Sequence, residues 1–259
     1  MVERAAHLDT DGRGFGDLAL FLDLDGTLID IAAEPTAAFA PAGLVEQLER
    51  LSLELDGALA ILSGRAIAAI DGLLAPMRPR AAGVHGSEFR EEAGGAITRM
   101  APDVPPDLVR EIRALLEFAP GIVVEMKGPA LATHFRLAPE LGLEVERRLQ
   151  ELLPRLGGRY ELRPGRMVLE VVPKAVSKGS ALRHFMATPP FAGRRAVMIG
   201  DDAGDLSALR AAEALGGAGL RVGGEFFESR SAEFQGTAAV RQWLAQVADH
   251  CEERRTGVL

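Results

Sequence analysis

Cysteine is almost absent from this 259-residue chain. Cys251 stands alone, so no internal disulfide can form and a reducing compartment is expected. Lysine is nearly as scarce: the 29 basic residues include only Lys127, Lys174 and Lys178, which leaves 26 arginines. A chain that uses arginine almost everywhere keeps lysine where a compact, flexible ammonium is wanted. Positive charge is in deficit as a whole, with a net charge of −8, so neither a nucleic acid nor an anionic membrane surface is expected as a partner. No uncharged apolar run approaches a membrane span. Residues 1–17 carry Glu3, Arg4, Asp9, Asp11, Arg13 and Asp17 and lack the apolar centre of a signal peptide, so a soluble cytoplasmic protein is expected. Internal repeats and low-complexity tracts are missing. The glycine-rich Gly216–Gly219 has neither the spacing nor the lysine of a nucleotide phosphate loop.

What the chain does have is core material and a clear order of elements. Apolar residues make up 47% and charged residues 25%, enough for one large domain or two moderate ones. Apolar strands are expected at 18–22, 57–62 and 81–84, with helices from Pro41 through Leu51 and over 66–74 between them. Strand and helix in alternation predict a parallel sheet with helices on its faces. The order changes at Pro102, Pro105 and Pro106. There follow helices at 107–118 and 139–153, a hairpin across Gly128-Pro129, and strands at 159–163 and 167–172 around Pro164-Gly165. In that hairpin Glu125, Lys127, His134 and Arg136 fall on one face, and Val124, Met126, Leu131 and Phe135 on the other. The polar face is equally consistent with ordinary solvation. A helix from Lys178 to Met186, a strand at 196–199, a helix at 204–214, a short strand at 220–222 and a helix at 237–249 then restore the first pattern. The expected fold class is therefore α/β, a Rossmann-like core of residues 1–101 and 166–259 interrupted by a small α+β insert at 102–165.

Four polar motifs follow strands or open helices: Asp23-Leu24-Asp25-Gly26-Thr27, Ser63-Gly64-Arg65, Lys178-Gly179, and Gly200-Asp201-Asp202 with Asp205. In a parallel sheet all such strand ends lie on one edge, where ligands bind. Two ionised aspartates two residues apart repel each other unless a cation or a shared proton relieves them, and hard oxygen ligands favour Mg²⁺. Alone, Asp-x-Asp-Gly is as readily a strand end with a turn. Together, aspartates of the first and last motifs can hold one cation while Ser63 and Lys178 face an anion.

The ordered set resembles the haloacid-dehalogenase (HAD) superfamily of phosphotransferases. Within it the chain is similar to the trehalose-6-phosphate phosphatases, from about Leu20 to Leu209. The closer similarity lies in Gly26-Thr27-Leu28-Ile29-Asp30-Ile31 with Pro35, in His85-Gly86-Ser87-Glu88, in Val124-Glu125-Met126-Lys127, in Leu131-Ala132-Thr133-His134-Phe135-Arg136, and in Glu170-Val171-Val172-Pro173. The resemblance implies a HAD core with a C2-type cap and Mg²⁺-dependent hydrolysis of trehalose 6-phosphate, a small-molecule sugar phosphate. It fixes no oligomeric state and is compatible with a monomer. It makes Asp23 the nucleophile and Asp25 the general acid and base. Thr27, Ser63 and Lys178 would bind the phosphate, and Asp23, Asp201 and the Asp25 carbonyl would bind Mg²⁺. Asp202 and Asp205 would orient the metal site or Lys178. The insert would be the lid, with Glu125, Lys127, Glu170, His134 and Arg136 toward sugar hydroxyls, while Arg65, His85 and Glu88 contact substrate or support the loop. His7, His184 and His250 have no motif around them and are expected at the surface, and Lys174 is expected as a solvated loop lysine.

Three positions depart from the family pattern. Gly204 stands for threonine, Leu206 for glutamate, and Val172 for the arginine before Pro173. These leave open a related HAD sugar phosphatase acting on another disaccharide phosphate, a glycosyl-phosphoglycerate or a hexose phosphate. A phosphomutase is also open, as is a non-catalytic relative that binds a sugar phosphate.

Overall fold

In the computed structural model the described residues are 15–32, 37–116, 120–165 and 167–256. His7 and Pro35, both singled out above, lie outside them. The chain divides into two compact units, Met1–Thr98 with Lys178–Leu259, and Arg99–Ser177.

The first unit starts with β1 (Leu18–Leu22), whose five side chains are all buried. Helix α1 (Leu44–Glu54) buries Leu44, Leu48 and Leu51 along one stripe, and it starts at Leu44 because Gly43 before it takes a left-handed φ of 82°. Then come β2 (Leu59–Leu62), α2 (Ile67–Leu73), β3 (Arg80–Gly83), β4 (Glu88–Arg90) and β5 (Thr98–Arg99).

The second unit contains α3 (Pro106–Leu116), β6 (Val123–Lys127), β7 (Ala130–His134), α4 (Gly142–Leu152), β8 (Tyr160–Gly165) and β9 (Val168–Pro173). The chain then returns through α5 (Lys178–Met186), β10 (Arg195–Gly200), α6 (Leu206–Ala214), β11 (Ala218–Arg221) and α7 (Thr237–Thr256), the last running seven residues past its expected end.

The seven-stranded sheet has the order β11-β10-β1-β2-β3-β4-β5. Its strands β11, β10, β1, β2 and β3 are mutually parallel, and β4 runs antiparallel to β3. Leu18–Leu22 at its centre are each 0% exposed, and the continuous apolar run is what a strand covered on both faces requires. From β1 the chain moves outward through β2 and β3, then returns on the other side of β1 as β10. The reversal point therefore falls between β1 and β10, and the motifs that follow these two strands meet there.

The second sheet is antiparallel, in the order β6-β7-β9-β8. Leu131, Leu169 and Val171 pack with Leu108 and Ile112 of α3 and with Val145 and Leu149 of α4 in a separate apolar cluster. Three sequence expectations change here. Strand β9 pairs along its length with β7 and β8, so residues 167–177 belong with the second unit and the expected division at 165/166 moves to 177/178. Pro164-Gly165 is not the β8–β9 turn, because Gly165 still pairs with Val168, and Met167 takes a φ of 54°. Pro164 is tolerated inside β8 because β8 is an edge strand. Met126 is exposed and does not join the apolar cluster; β6 is the other edge strand, with less to cover it.

Candidate active site

The edge of the first sheet is built outward from β1. Leu22 pairs with Ile199, and the Asp23 N–H donates to the Ile199 carbonyl at 3.0 Å, so Asp23 and Asp201 leave adjacent strand ends. The chain then folds back on itself. The Leu28 and Ile29 N–H groups both donate to the Leu24 carbonyl, at 2.9 and 3.0 Å. Gly26 makes this possible with a φ of 81°, and a Cβ at that position would run into the Asp201 carboxylate. Thr27 is buried, and its hydroxyl donates to Asp201 Oδ1 at 3.2 Å. The hydroxyl expected to face a phosphate therefore holds a carboxylate.

Lys178, the first residue of α5, is buried and donates through Nζ to Asp23 Oδ1 and to Asp205 Oδ1, both at 2.6 Å. The second oxygen of Asp205 accepts the N–H groups of Asp201 and Asp202, at 3.0 and 3.1 Å. Asp202 in turn accepts from the Gly204 N–H at 2.8 Å, which completes a reciprocal capping box. Substituting glycine for threonine at 204 leaves this turn intact, because the bond uses the backbone.

One ammonium thus faces three buried carboxylates, those of Asp23, Asp201 and Asp205, whose oxygens lie within 4.8 Å of one another. Burial, reinforced by the neighbouring acids, raises the carboxyls of Asp23 and Asp205 well above their usual range and pushes Asp201 up to about 7. Burial also disfavours the Lys178 ammonium, but Asp205, Asp23 and Asp202 outweigh it and hold that group well above its ordinary value. Clustered hard oxygens short of positive charge make a donor set that could bind a metal ion.

Ser63 follows β2 and is buried; its hydroxyl accepts from the Arg65 N–H at 3.1 Å. The Arg65 guanidinium forks onto Asp25, Nε to Oδ2 at 2.6 Å and Nη2 to Oδ1 at 2.7 Å. This bidentate pair fixes the orientation of Asp25. His85 sits in a left-handed conformation, φ 56°, with its ring so close to Gly64 that a Cβ there would lie 2.9 Å from it. Glu88 accepts from the Ile67 N–H at 2.9 Å, so its carboxylate caps the start of α2. A contact that motif reasoning did not reveal is Arg241 of α7, which donates to the Leu28 carbonyl at 2.8 Å and anchors the loop after Asp25. His184 pairs with Glu91 at the surface, and Lys174 is exposed, as expected.

The remaining site residues lie in the second unit. Register places Glu125, Ala132, Glu170 and Arg163 in one row across all four strands, on one face. Lys127 on β6 donates to Glu170 Oε1 on β9 at 2.7 Å. It reaches across β7 over the small side chains of Ala130 and Ala132. His134 Nε2 is 2.8 Å from Glu125 Oε2, and this contact, ahead of the opposing effect of burial, holds the Glu125 carboxyl below its usual range. Arg136 lies beyond the end of β7, in a turn.

Comparison with known proteins agrees with this geometry. The sequence profile described as Trehalose-phosphatase matches residues 21–238. The chain belongs to the trehalose-phosphatase family. A Sinorhizobium fredii protein described as "Probable trehalose-phosphate phosphatase" is 40% identical over 206 residues, covering 79% of this chain and 77% of that one. The Escherichia coli "Trehalose-6-phosphate phosphatase" is 33% identical over 241 residues, covering 92% and 89%. A solved "trehalose-6-phosphate phosphatase related protein" superposes with a TM-score of 0.72 at 25% identity, over 92% of this chain and 99% of that one. In this trehalose-phosphatase fold the first unit is the Rossmann-like HAD core, and the antiparallel sheet with its helices is the α+β insert. Among the described residues no helix is long and apolar enough to cross a membrane.

Proposed function

We propose that the protein is a Mg²⁺-dependent phosphatase that hydrolyses trehalose 6-phosphate to trehalose and phosphate in the cytoplasm. The observation that carries this reading is the Asp23–Lys178–Asp205 chain of contacts beside Asp201 at the reversal point of the sheet. Asp23, Asp201 and the Asp25 carbonyl would hold Mg²⁺. When bound, the ion offsets carboxylate repulsion and charge on the phosphoryl oxygens.

Every other step belongs to side chains of the protein. A carboxylate oxygen of Asp23 attacks phosphorus as the bond to the sugar oxygen breaks, leaving an aspartyl phosphate. Asp25 gives its proton to the departing oxygen, for which one of its two oxygens must leave the Arg65 fork. Asp25 then takes a proton from water, whose oxygen attacks phosphorus and releases Asp23 and inorganic phosphate. Lys178 and Ser63 stabilise negative charge on the transferring group, with Thr27 fixing Asp201. Asp205 fixes Lys178 and, through backbone N–H groups, residues 201–202; Asp202 caps the same turn.

The second unit, proposed as the substrate-selecting domain, would supply Glu125, Lys127, Glu170, His134 and Arg136 to the sugar hydroxyls. Arg65, His85 and Glu88 are assigned to holding the catalytic loops. A panel of sugar phosphates tests the reading. Trehalose 6-phosphate should exceed glucose 6-phosphate and other disaccharide phosphates in kcat/KM, with free phosphate as product, and chelation should abolish turnover until Mg²⁺ is restored. Equal kcat/KM on glucose 6-phosphate would overturn the substrate assignment. Gly204, Leu206 and Val172 favour, as a second reading, a related sugar phosphate as substrate. A non-catalytic binder is disfavoured because Asp23 and Asp25 are both retained.

A further inference from the structure

The polar face of the second sheet is wider than the motif residues that mark it. Glu170 pairs directly with Arg163, and Val172 with Glu161, so both β8 side chains stand on the same face as Glu125 and Lys127. Their neighbours Tyr160 and Leu162 turn the other way, into or against the apolar cluster. Arg163 is unusually well buried for an arginine on an edge strand: its side chain is only 19% exposed. Nε donates to Glu161 Oε1 at 2.8 Å, and Nη2 to the Val176 carbonyl at 2.7 Å. The face thus carries two ion pairs side by side, Lys127 with Glu170 and Arg163 with Glu161, and a His134–Glu125 contact beyond them.

The charge balance indicates what such a face accepts. Three carboxylates stand against two permanent cations and a histidine, so a phosphate dianion finds no surplus of positive charge there. A neutral polyol finds fixed donors and fixed acceptors alternating across the sheet, which suits hydroxyl groups that both give and take a hydrogen bond. The geometry points to Arg163 and Glu161 as specificity-determining residues, an extension of this face onto the edge strand β8 that hydrogen-bonds sugar hydroxyls. This rests on the sugar-phosphate reading above and adds two residues that no family motif marks. Arg163 has Nη1 to offer, since Nε and Nη2 are engaged by Glu161 and Val176; Glu161 is its positioning partner and, through Oε2, an acceptor.

The ratio of kcat/KM on trehalose 6-phosphate to that on p-nitrophenyl phosphate, which has no sugar, is the measurement that tests this. Arg163→Ala should lower that ratio about tenfold, through KM for the disaccharide phosphate rather than kcat. Glu161→Ala should lower it about threefold. Both variants should melt within a few degrees of the wild type. An unchanged ratio, or an equal loss on both substrates, would overturn the inference, and the latter would assign Arg163 to holding the 174–177 connector through the Val176 carbonyl. Failure of the underlying reading is seen separately, in the wild type, as no preference for trehalose 6-phosphate over glucose 6-phosphate.

Discussion

The sheet edge of the first unit, proposed as the catalytic site, and the polar face of the second solve the problem of buried charge in opposite ways. At the edge, one lysine serves three carboxylates, and the deficit remains: Asp201 is pushed up to about 7 by burial and by Asp205 and Asp202. On the face, each cation has its own carboxylate, Lys127 with Glu170 and Arg163 with Glu161. An unbalanced cluster is a site waiting for charge and is costly to maintain. A balanced one is suited to reading a neutral molecule. On the proposed function this difference separates chemistry from selection, so a change in one region should leave the other's contribution in place.

The largest effect is expected at the edge. Asp23→Asn should lower turnover of every phosphate ester by about 10⁴-fold or more, with the fold retained because asparagine keeps the shape and can still accept from Lys178. Comparable loss on an aryl phosphate and on trehalose 6-phosphate is the signature; residual turnover near wild type would remove Asp23 from the nucleophile's role.

A smaller and selective effect is expected on the face. Lys127→Ala leaves Glu170 without the ammonium that now reaches it across β7. It should lower kcat/KM for trehalose 6-phosphate by about 10- to 100-fold relative to that for an aryl phosphate. Equal losses on both would erase the contrast between the two regions and return Lys127 to a structural role.

The smallest effect sharpens the contrast through pH. In the unfolded chain Asp201 loses its proton near 3.8, whereas in the folded, metal-free protein it keeps the proton until about 7. Folding therefore takes up a proton between those values, and the stability from this group falls as pH rises toward and through 7. Asp23 and Asp205 shift in the same direction. Lys178, raised from 10.5, contributes stability that is lost only at more alkaline pH. From pH 6 to 8 the Asp201 contribution alone is about 1 kcal/mol, or about 2–4 °C in Tm. Calorimetry of chelated protein should show that fall, and saturating Mg²⁺ should reduce it by favouring the ionised carboxylates. A Tm that rises across the same interval would contradict the charge deficit.

Much of the first unit was legible because its signals are local. Runs such as Leu18–Leu22 and Ala196–Ile199 announce buried strands, and the polar motif after each announces the edge where strand ends meet. The motif around Glu88 leaves open whether its carboxylate contacts substrate or supports a loop, because nothing in its neighbours foretells that it caps α2. Thr27 likewise lies in the motif after β1, yet only the fold shows its hydroxyl on Asp201. Pro164-Gly165 reads as a turn in the sequence yet lies within β8, because an edge strand's tolerance of proline is a property of the sheet.

What the sequence determined by itself is the set of candidate site groups and their order along the chain: Asp23 and Asp25, Ser63, Lys178, then Asp201 and Asp205. These follow from strand periodicity and from chemistry that needs those residue types. Only the tertiary structure decided which groups share a charge and which are paired. Lys178 joins partners 155 and 27 residues away in sequence, and Lys127 crosses a strand to reach Glu170. Such pairings depend on sheet order and register, which arise from the packing of whole elements and leave no trace in the spacing of neighbouring residues.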